Sequence, residues 1–322
     1  NFLFGSSITL VAFMLIAAMS LLNYFGIKES ARYNDISTIL ETAGLVAIIF
    51  LGLSYGTKYE VFSTMNFFES PTGITGILTA TTIVYFAFIG FENLVNISEE
   101  AKDARRIIPK ALLISLAISA VIYILVSIAA VSIVGWEALS NSKAPLAEAA
   151  EKVIPKSSIA LALIALFATS NTVLILLIIG SRLLYGLSAN KSLPGFFSNV
   201  GKRGTPYISI IFITLLAWLS LIFGGGIKKL AHLTDLGIFT VYIFVNLSVI
   251  VLRYREPETK RLFKAPVNIG RFPLLAFLGI LLNISMLYFF EWKIFLYGMA
   301  LLLVGLVLYF LFDTNKPNQQ TL

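Results

Sequence analysis

Nine apolar segments, each long enough to cross a bilayer as a helix, constrain this chain more than any other feature of its sequence. A hydrocarbon core about 30 Å thick needs roughly 20 apolar residues per helix, and it leaves every backbone polar group to be satisfied within the protein. Only 13% of the residues are charged, against about 25% in soluble domains. The segments lie approximately at 5–25, 35–55, 74–98, 111–134, 157–184, 206–223, 230–252, 272–290 and 293–312. The sequence therefore predicts an all-α membrane protein, a polytopic helical bundle with nine spans in a single transmembrane domain over residues 1–322.

The residue types exclude several classes of function. The chain has no cysteine and one histidine, His232, which excludes disulfides, thiolate metal sites, histidine metal clusters and cysteine nucleophiles. Motifs of hydrolases, zinc proteases, P-loops and dinucleotide-binding folds are absent. We therefore predict no enzyme, no metal site and no cofactor. The net charge of +7 does not indicate nucleic acid, because Arg105 and Arg106 lie beside Glu99, Glu100 and Asp103 in one connection of mixed sign.

The distribution of lysine and arginine predicts the orientation in the membrane. One set of alternate connections holds sixteen of these residues and the opposite set holds seven. The positive-inside rule places the richer set in the cytoplasm. The richer set consists of connections 26–34, 99–110, 185–205 and 253–271 and the tail after 312. We expect a multi-pass protein of the plasma membrane, with the tail from Asp313 cytoplasmic and Asn1 extracytoplasmic. An outside start without signal-peptide features predicts an odd number of further spans upstream.

The third apolar segment contains a feature that membrane packing alone does not need. Glu92 costs roughly 2.5–3.5 kcal/mol near the middle of a membrane helix, and Gly90 lowers helix propensity beside it. We predict that the helix from Gly73 to Ser98 is broken near Ile89–Glu92. On a helical wheel one polar and aromatic stripe is formed by Thr81, Tyr85, Phe88, Glu92 and Asn96. The alternative interpretation is a structural Glu92 that pairs with a neighbouring helix.

Proline and glycine predict where the helices begin and end. Five prolines lie at or just before predicted helix starts, as is typical of first-turn proline: Pro71, Pro109, Pro155, Pro206 and Pro273. Gly52 and Gly56 match the spacing of small-residue helix packing. Because they lie at the end of the second span, we interpret them instead as a helix stop.

Three blocks of sequence resemble amino acid permeases of the amino acid–polyamine–organocation superfamily. The first consists of residues 86–93 (FAFIGFEN), 99–100 (EE) and 106–111 (RIIPKA), and is similar to the sixth helix of that family with its following loop. The second consists of residues 181–188 (SRLLYGLS), 193–194 (LP) and 203–206 (RGTP) and is similar to the region from the eighth helix to the ninth. A weaker third block, 253–257 (RYREP) with Arg261, Phe263 and Pro266, resembles the loop after the tenth helix.

The resemblance implies a fold and a function. The nine spans would be helices four to twelve of a twelve-helix permease with an inverted five-plus-five repeat, lacking its first three helices. The implied function is secondary active transport of amino acids, or related amines, by alternating access. The resemblance implies an amino acid as the substrate, whereas the coupling ion (H⁺ or Na⁺) and the oligomeric state do not follow from these residues.

The resemblance also implies site residues. Substrate would bind at the broken helix, to Phe88, Ile89, Gly90, Phe91 and Glu92. Glu41 lies where some family members carry a lysine that acts in proton coupling, and a carboxylate at the membrane interface is the alternative. The full set of coupling or gating candidates is Glu41, Tyr85, Asn93, Thr169, Ser170, Asn171, Tyr242 and Asn246.

Several alternatives remain open at this stage. Thr169, Ser170 and Asn171 fit a sodium-like site or the substrate path, and they fit equally a role in bonding one helix to another. We interpret Asp235 with His232 as a pair near the membrane interface. An intramembrane enzyme is disfavoured, because no nucleophile–base pair converges on a span. A non-transporting scaffold or a receptor-like relative of the same fold is the alternative to a transporter.

Overall fold

The computed structural model describes residues 7–64, 70, 72–91, 93–96, 103–223, 227–288 and 290–312. These residues form thirteen α-helices, two short 3-10 turns and one two-stranded antiparallel hairpin. The elements are α1 Ser7–Phe25, α2 Ile27–Lys58, α3 Val61–Thr64, α4 Gly73–Tyr85, α5 Asn93–Asn96, α6 Ala104–Val134, α7 Trp136–Asn141, α8 Pro145–Val153, α9 Ser157–Ala189, α10 Tyr207–Phe223, α11 Ile227–Arg255, β1 Asn268–Ile269, β2 Phe272–Pro273, α12 Leu274–Leu287 and α13 Trp292–Phe312.

The predicted all-α membrane fold is confirmed. Each predicted apolar segment corresponds to helix in the structure, and the third is helix in two pieces. Among the described residues, five helices are long and apolar enough to cross a membrane: Ile27–Lys58, Ala104–Val134, Ser157–Ala189, Lys229–Arg255 and Trp292–Leu311. Three shorter apolar helices run over Thr9–Phe25, Tyr207–Ile222 and Leu274–Leu287.

The helices separate into two compact units. The first contains α1, α2, α3, α7, α8, α9, the greater part of α10 and the part of α6 from Leu116 onward. The second contains α4, α5, the start of α6 and α11 to α13 with the hairpin.

Helix α9 organises the first unit, because α1, α2 and α8 all pack against it. Met19 of α1 meets Leu174 and Leu177 of α9 in one apolar cluster. Hydroxyl and amide groups join the same helices, as Asn23 Nδ2 donates to Ser181 Oγ at 3.3 Å. Small polar groups of this kind hold membrane helices together where lipid supplies no hydrophobic driving force.

A carboxylate outside the membrane spans fixes the start of α9. Glu151 of α8 accepts the backbone N–H groups of Lys156 at 2.8 Å and Ser158 at 3.0 Å. The hydrogen bonds from Ser158 and Lys156 lower the pKa of Glu151. The stabilisation is therefore present above the usual pKa of a glutamate and is lost as the pH falls through the lowered value.

The interpretation of Gly52 and Gly56 as a helix stop is wrong. Helix α2 continues to Lys58, and both glycines are buried. A Cβ on Gly52 would lie 2.3 Å from the Cβ of Ala129 on α6, and a Cβ on Gly56 would lie 2.4 Å from the ring of Phe62. Glycine lowers helix propensity by only about 1 kcal/mol, so close packing against α6 prevails. The spacing of Gly52 and Gly56 therefore indicates a site of helix packing rather than a helix stop.

The prediction that proline precedes helices holds for three of the five prolines: Pro155, Pro206 and Pro273. Pro109 instead lies inside α6, which begins at Ala104, so that segment starts earlier than predicted. A proline in the second turn removes one early hydrogen bond, which a helix start tolerates better than a helix centre. Pro71 lies outside the described residues.

Helix α11 organises the second unit and packs against α12 and α13. Leu236 of α11 faces Gly298 of α13, where an added Cβ would lie 2.5 Å from Leu236 Cδ2. Arg261 Nη2 donates to the carbonyl groups of Leu252 at 3.0 Å and Glu256 at 2.9 Å. These bonds satisfy carbonyls at the end of α11, where the helix itself offers no partners.

Candidate functional site

The predicted break in the third apolar segment is confirmed. Helix α4 ends at Tyr85, a 3-10 turn covers Phe86–Phe88, and a turn follows before α5 begins at Asn93. Gly90 lies in that turn with φ +122°, a backbone conformation that side-chain-bearing residues rarely adopt. Glycine at this position therefore permits the chain to leave the helix.

Short-range hydrogen bonds hold the turn between α4 and α5. The N–H of Asn93 donates to the carbonyl of Gly90 at 3.0 Å, and the N–H of Leu94 donates to the carbonyl of Phe91 at 3.2 Å. These bonds span three residues and replace the four-residue bonds of a continuous α-helix. The change of pattern interrupts the α-helical hydrogen-bond ladder inside an apolar segment.

Aromatic rings flank the break on both sides. Phe88 and Phe91 are half-buried and stack with ring centroids 6.4 Å apart at 27°, with Ile89 and Gly90 between them in the chain. Tyr85, the last residue of α4, meets Phe239 of α11 edge to face at 4.9 Å. The end of α4 is thus held against α11, and the turn beyond it carries two stacked rings.

Only part of the predicted stripe falls on side chains that the structure describes. Glu92 lies outside the described residues. Thr81 is exposed, and its Oγ1 donates to the carbonyl of Ile77 on its own helix at 2.8 Å. Asn93 is half-buried at the start of α5. Tyr85, Phe88, Ile89, Gly90, Phe91 and Asn93 therefore form the described part of the break.

Two further candidates lie together on α11 in the same unit. Tyr242 and Asn246 are both half-buried and one helical turn apart. The amide of Asn246 packs on α12, since a Cβ on Gly279 would lie 3.0 Å from its Nδ2. Asn246 thus contributes to the contact between α11 and α12.

The structure adds a feature to Asp235 and His232, which the sequence placed near the membrane interface: Asp235 is buried within the protein. Asp235 is only 5% exposed. Its Oδ1 and the Nδ1 of His232 are buried, and neither has a hydrogen-bond partner among the described residues. Sequence reasoning missed this burial because it depends on how other helices pack against α11. The available signal was Phe239, which lies one turn after Asp235 on the same face of α11.

Glu41 lies in the first unit, deep within a helix rather than near its start. Helix α2 begins at Ile27, eight residues before the predicted span, so Glu41 is about 21 Å along a helix that rises 1.5 Å per residue. Its side chain is half-buried, and an electrostatic interaction links it with Tyr123 of α6.

The residues Thr169, Ser170 and Asn171 face different surroundings on α9. Thr169 is exposed, whereas Ser170 and Asn171 are buried. Ser170 Oγ shares a hydrogen bond with the hydroxyl of Tyr33 on α2, which confirms the helix-to-helix interpretation for this residue. Asn171 Oδ1 is buried without a hydrogen-bond partner among the described residues.

Within the part of the chain that the structure describes, no group of three or more His, Asp or Glu side chains could hold a metal ion. The predicted site residues fall into two groups. The break, Tyr242 and Asn246 belong to the second unit, and Glu41 with residues 169–171 belongs to the first.

Comparison with known proteins assigns the family. A profile of the family described as "Amino acid permease" matches residues 3–312. The branched-chain amino acid permease BcaP of Bacillus subtilis is 28% identical over 316 residues, which cover 96% of this chain and 65% of that protein. The methylthioribose transporter of the same organism is 28% identical over 81% of this chain and 56% of its own length. The vacuolar cationic amino acid transporter 4 of Arabidopsis thaliana is 30% identical over 77% of this chain and 41% of its own length.

The chain thus spans less than two thirds of the length of these curated relatives. Their names describe permeases and transporters rather than enzymes. The profile match covers nearly the whole chain, and it agrees with the family that the three sequence blocks predicted. The chain belongs to the amino acid permease family and is a multi-pass membrane protein.

Proposed function

We propose that this protein is a secondary active transporter of amino acids, or related amines, that works by alternating access in the plasma membrane. Substrate binds at the break between α4 and α5. The observation that carries this proposal is the turn at Ile89–Phe91, where Gly90 takes φ +122° within an apolar segment. Lipid cannot satisfy backbone groups released from a helix, so such breaks are tolerated where they are buried in protein or line a cavity.

The chemistry of an amino acid fits the groups at this break. The last carbonyl groups of α4 and the negative end of its dipole favour a substrate ammonium group. At a break of this kind a half-helix N-terminus favours a substrate carboxylate. Phe88 and Phe91 offer apolar surface to a substrate side chain. The names of the relatives, which mention branched-chain amino acids, cationic amino acids and methylthioribose, define the compounds to test.

Uptake into proteoliposomes tests the proposed function. We expect purified protein to accumulate at least one labelled amino acid above protein-free vesicles, with leucine, arginine, glutamate and methylthioribose as the panel. Excess unlabelled substrate should abolish the signal, because transport saturates and leakage does not. Binding of an amino acid without uptake or exchange would favour a receptor-like role. Uptake of methylthioribose alone would change the substrate class.

The orientation of the protein is a separate prediction, since it rests on charge and needs no relative. The proposed cytoplasmic side carries the loop between α11 and β1, where Lys260 is exposed. A Lys260→Cys variant introduces a single thiol, because the chain has no cysteine of its own. In intact cells we expect a membrane-impermeant maleimide to leave this thiol unlabelled until the membrane is opened. Labelling from outside would reverse the proposed topology.

A further inference from the structure

Asp235 is a buried carboxylate that has no role in the proposed binding site at the break around Gly90. It lies on α11 in the second unit and is 5% exposed. Its Oδ1 has no hydrogen-bond partner among the described residues, and the same holds for the Nδ1 of His232 one turn earlier. An electrostatic interaction links the two side chains. A buried carboxylate oxygen without a hydrogen-bond partner favours the uptake of a positive charge.

The surroundings of this pair are apolar and aromatic. Phe290 meets His232 edge to face at 5.5 Å, and Phe239 stacks on Phe290 at 5.7 Å. Leu236 fills the contact with α13 beside Gly298. Apart from His232 itself, the named neighbours of the pair among the described residues are therefore apolar or aromatic side chains.

The helices packed against α11 bring little charge to Asp235. Neither α12 nor α4 carries a charged residue, and Tyr85 is the titratable group of α4. Helix α13 carries Lys293, which is exposed, with Tyr297 and Tyr309 as its titratable groups. Lys229, two turns before Asp235, lies over the ring of Tyr297 at 3.9 Å. Among the described residues, His232 is the ionisable group that interacts with Asp235.

The same aromatic cluster reaches the break. Phe239 lies one turn after Asp235, is 1% exposed, and contacts Tyr85 edge to face at 4.9 Å. Tyr85 ends α4 and is five residues before Gly90. Asp235 therefore lies one helical turn from Phe239, whose ring packs against the end of α4. A change in the charge of Asp235 occurs close to this contact.

We propose that Asp235, assisted by His232, is a proton-binding site and that its occupancy is coupled to substrate binding at the break. A proton fits better than Na⁺, because sodium needs several oxygen ligands and the described neighbours are largely aromatic. A neutral imidazole has one donor and one acceptor nitrogen, so His232 offers hydrogen-bonding groups one turn from the carboxylate. The inference rests on the proposed transport function and names its coupling ion.

Three measurements on proteoliposomes test this site. They are labelled substrate uptake between about pH 5 and about pH 8, substrate-driven proton entry reported by trapped pyranine, and exchange of labelled for unlabelled substrate at equal pH. In the parent protein we expect uptake to fall roughly tenfold across this range as one group titrates, and substrate to drive proton entry. Asp235→Asn should abolish proton entry and flatten the pH profile, while exchange continues.

Two controls separate Asp235 from other carboxylates. Glu137→Gln removes an exposed carboxylate on α7 and should leave both the pH profile and proton entry unchanged. Glu41→Gln tests the half-buried carboxylate of α2. If Glu41→Gln abolishes proton entry and Asp235→Asn retains it, the proposal is overturned.

The parent protein alone can also overturn the proposal. Substrate uptake without proton entry, or uptake that does not change with pH, contradicts a proton site whether or not Asp235→Asn folds. An absence of both uptake and exchange in the parent protein refutes the transport function instead. The two failures are thereby distinguishable.

Discussion

Gly90→Leu is expected to abolish substrate transport while the protein remains folded. Gly90 has φ +122°, and a side-chain-bearing residue in such a conformation costs about 1–3 kcal/mol. Leucine relieves this strain by taking helical angles, which would extend α4 through the break and remove the turn. Since every 1.4 kcal/mol is a factor of ten, initial uptake should fall at least roughly tenfold. Proteoliposome uptake measures the loss, and a single monodisperse peak in size-exclusion chromatography reports folding.

We expect the loss of transport to result from the changed backbone at Gly90 and not from a steric clash. A Cβ there would meet Asn93 Nδ2 at 3.7 Å, an ordinary contact, so no clash with the described residues is expected. Gly270→Leu is a matched control, because Gly270 also has positive φ and open space but lies in the turn between β1 and β2. The control should transport at the parent rate. Parent-like uptake by Gly90→Leu would remove the break from the binding site.

Gly52→Ala is expected to destabilise the protein, although alanine is the better helix former. Helix propensity alone predicts a gain of about 1 kcal/mol. The added Cβ would however lie 2.4 Å from the Cα of Ala129, which forces the backbones of α2 and α6 apart. Overpacking of this kind costs about 1–3 kcal/mol. The midpoint of thermal unfolding in detergent should fall by several degrees.

The matched control for Gly52→Ala is Gly186→Ala. Gly186 lies within α9, and a Cβ there meets nothing within 4 Å among the described residues. Its substitution should leave the midpoint unchanged or raise it, through helix propensity alone. The two variants make the same chemical change with opposite expected signs. A higher midpoint for Gly52→Ala would refute the close contact between α2 and α6.

Hydropathy predicted the helices but not all of their ends. Apolar runs mark the lipid-facing part of a helix, and a helix can continue beyond that part. Lys28, Glu29 and Arg32 lie outside the predicted second span, yet they are helical in α2. Charged residues lower hydropathy without breaking helices. Pro109 likewise precedes the apolar run of α6, whereas the helix itself begins earlier, at Ala104.

The break was predictable because its signal is local, with Gly90 inside an apolar segment. The burial of Asp235 was not predictable, because helices from other parts of the chain pack against α11. Gly52 was misinterpreted because the reason for a glycine there is the close approach of Ala129, which leaves no room for a side chain. The surroundings of Asp235 and Gly52 depend on contacts between separate helices, and a single sequence does not show these contacts.

The lengths of the helices imply an unequal response to the thickness of the bilayer. Helices α2 and α9 have 32 and 33 residues, about 48 and 50 Å at 1.5 Å per residue, so they exceed a hydrocarbon layer of about 30 Å and accommodate changes by tilting. Helix α12 has 14 residues and is about 21 Å long, so it cannot accommodate such changes by tilting. Tyr288 and Trp292, 86% and 74% exposed, follow its end as interfacial anchors. Hydrophobic mismatch therefore concentrates at α12, and the acyl-chain length of the surrounding lipid becomes an external influence on the unit that contains the break.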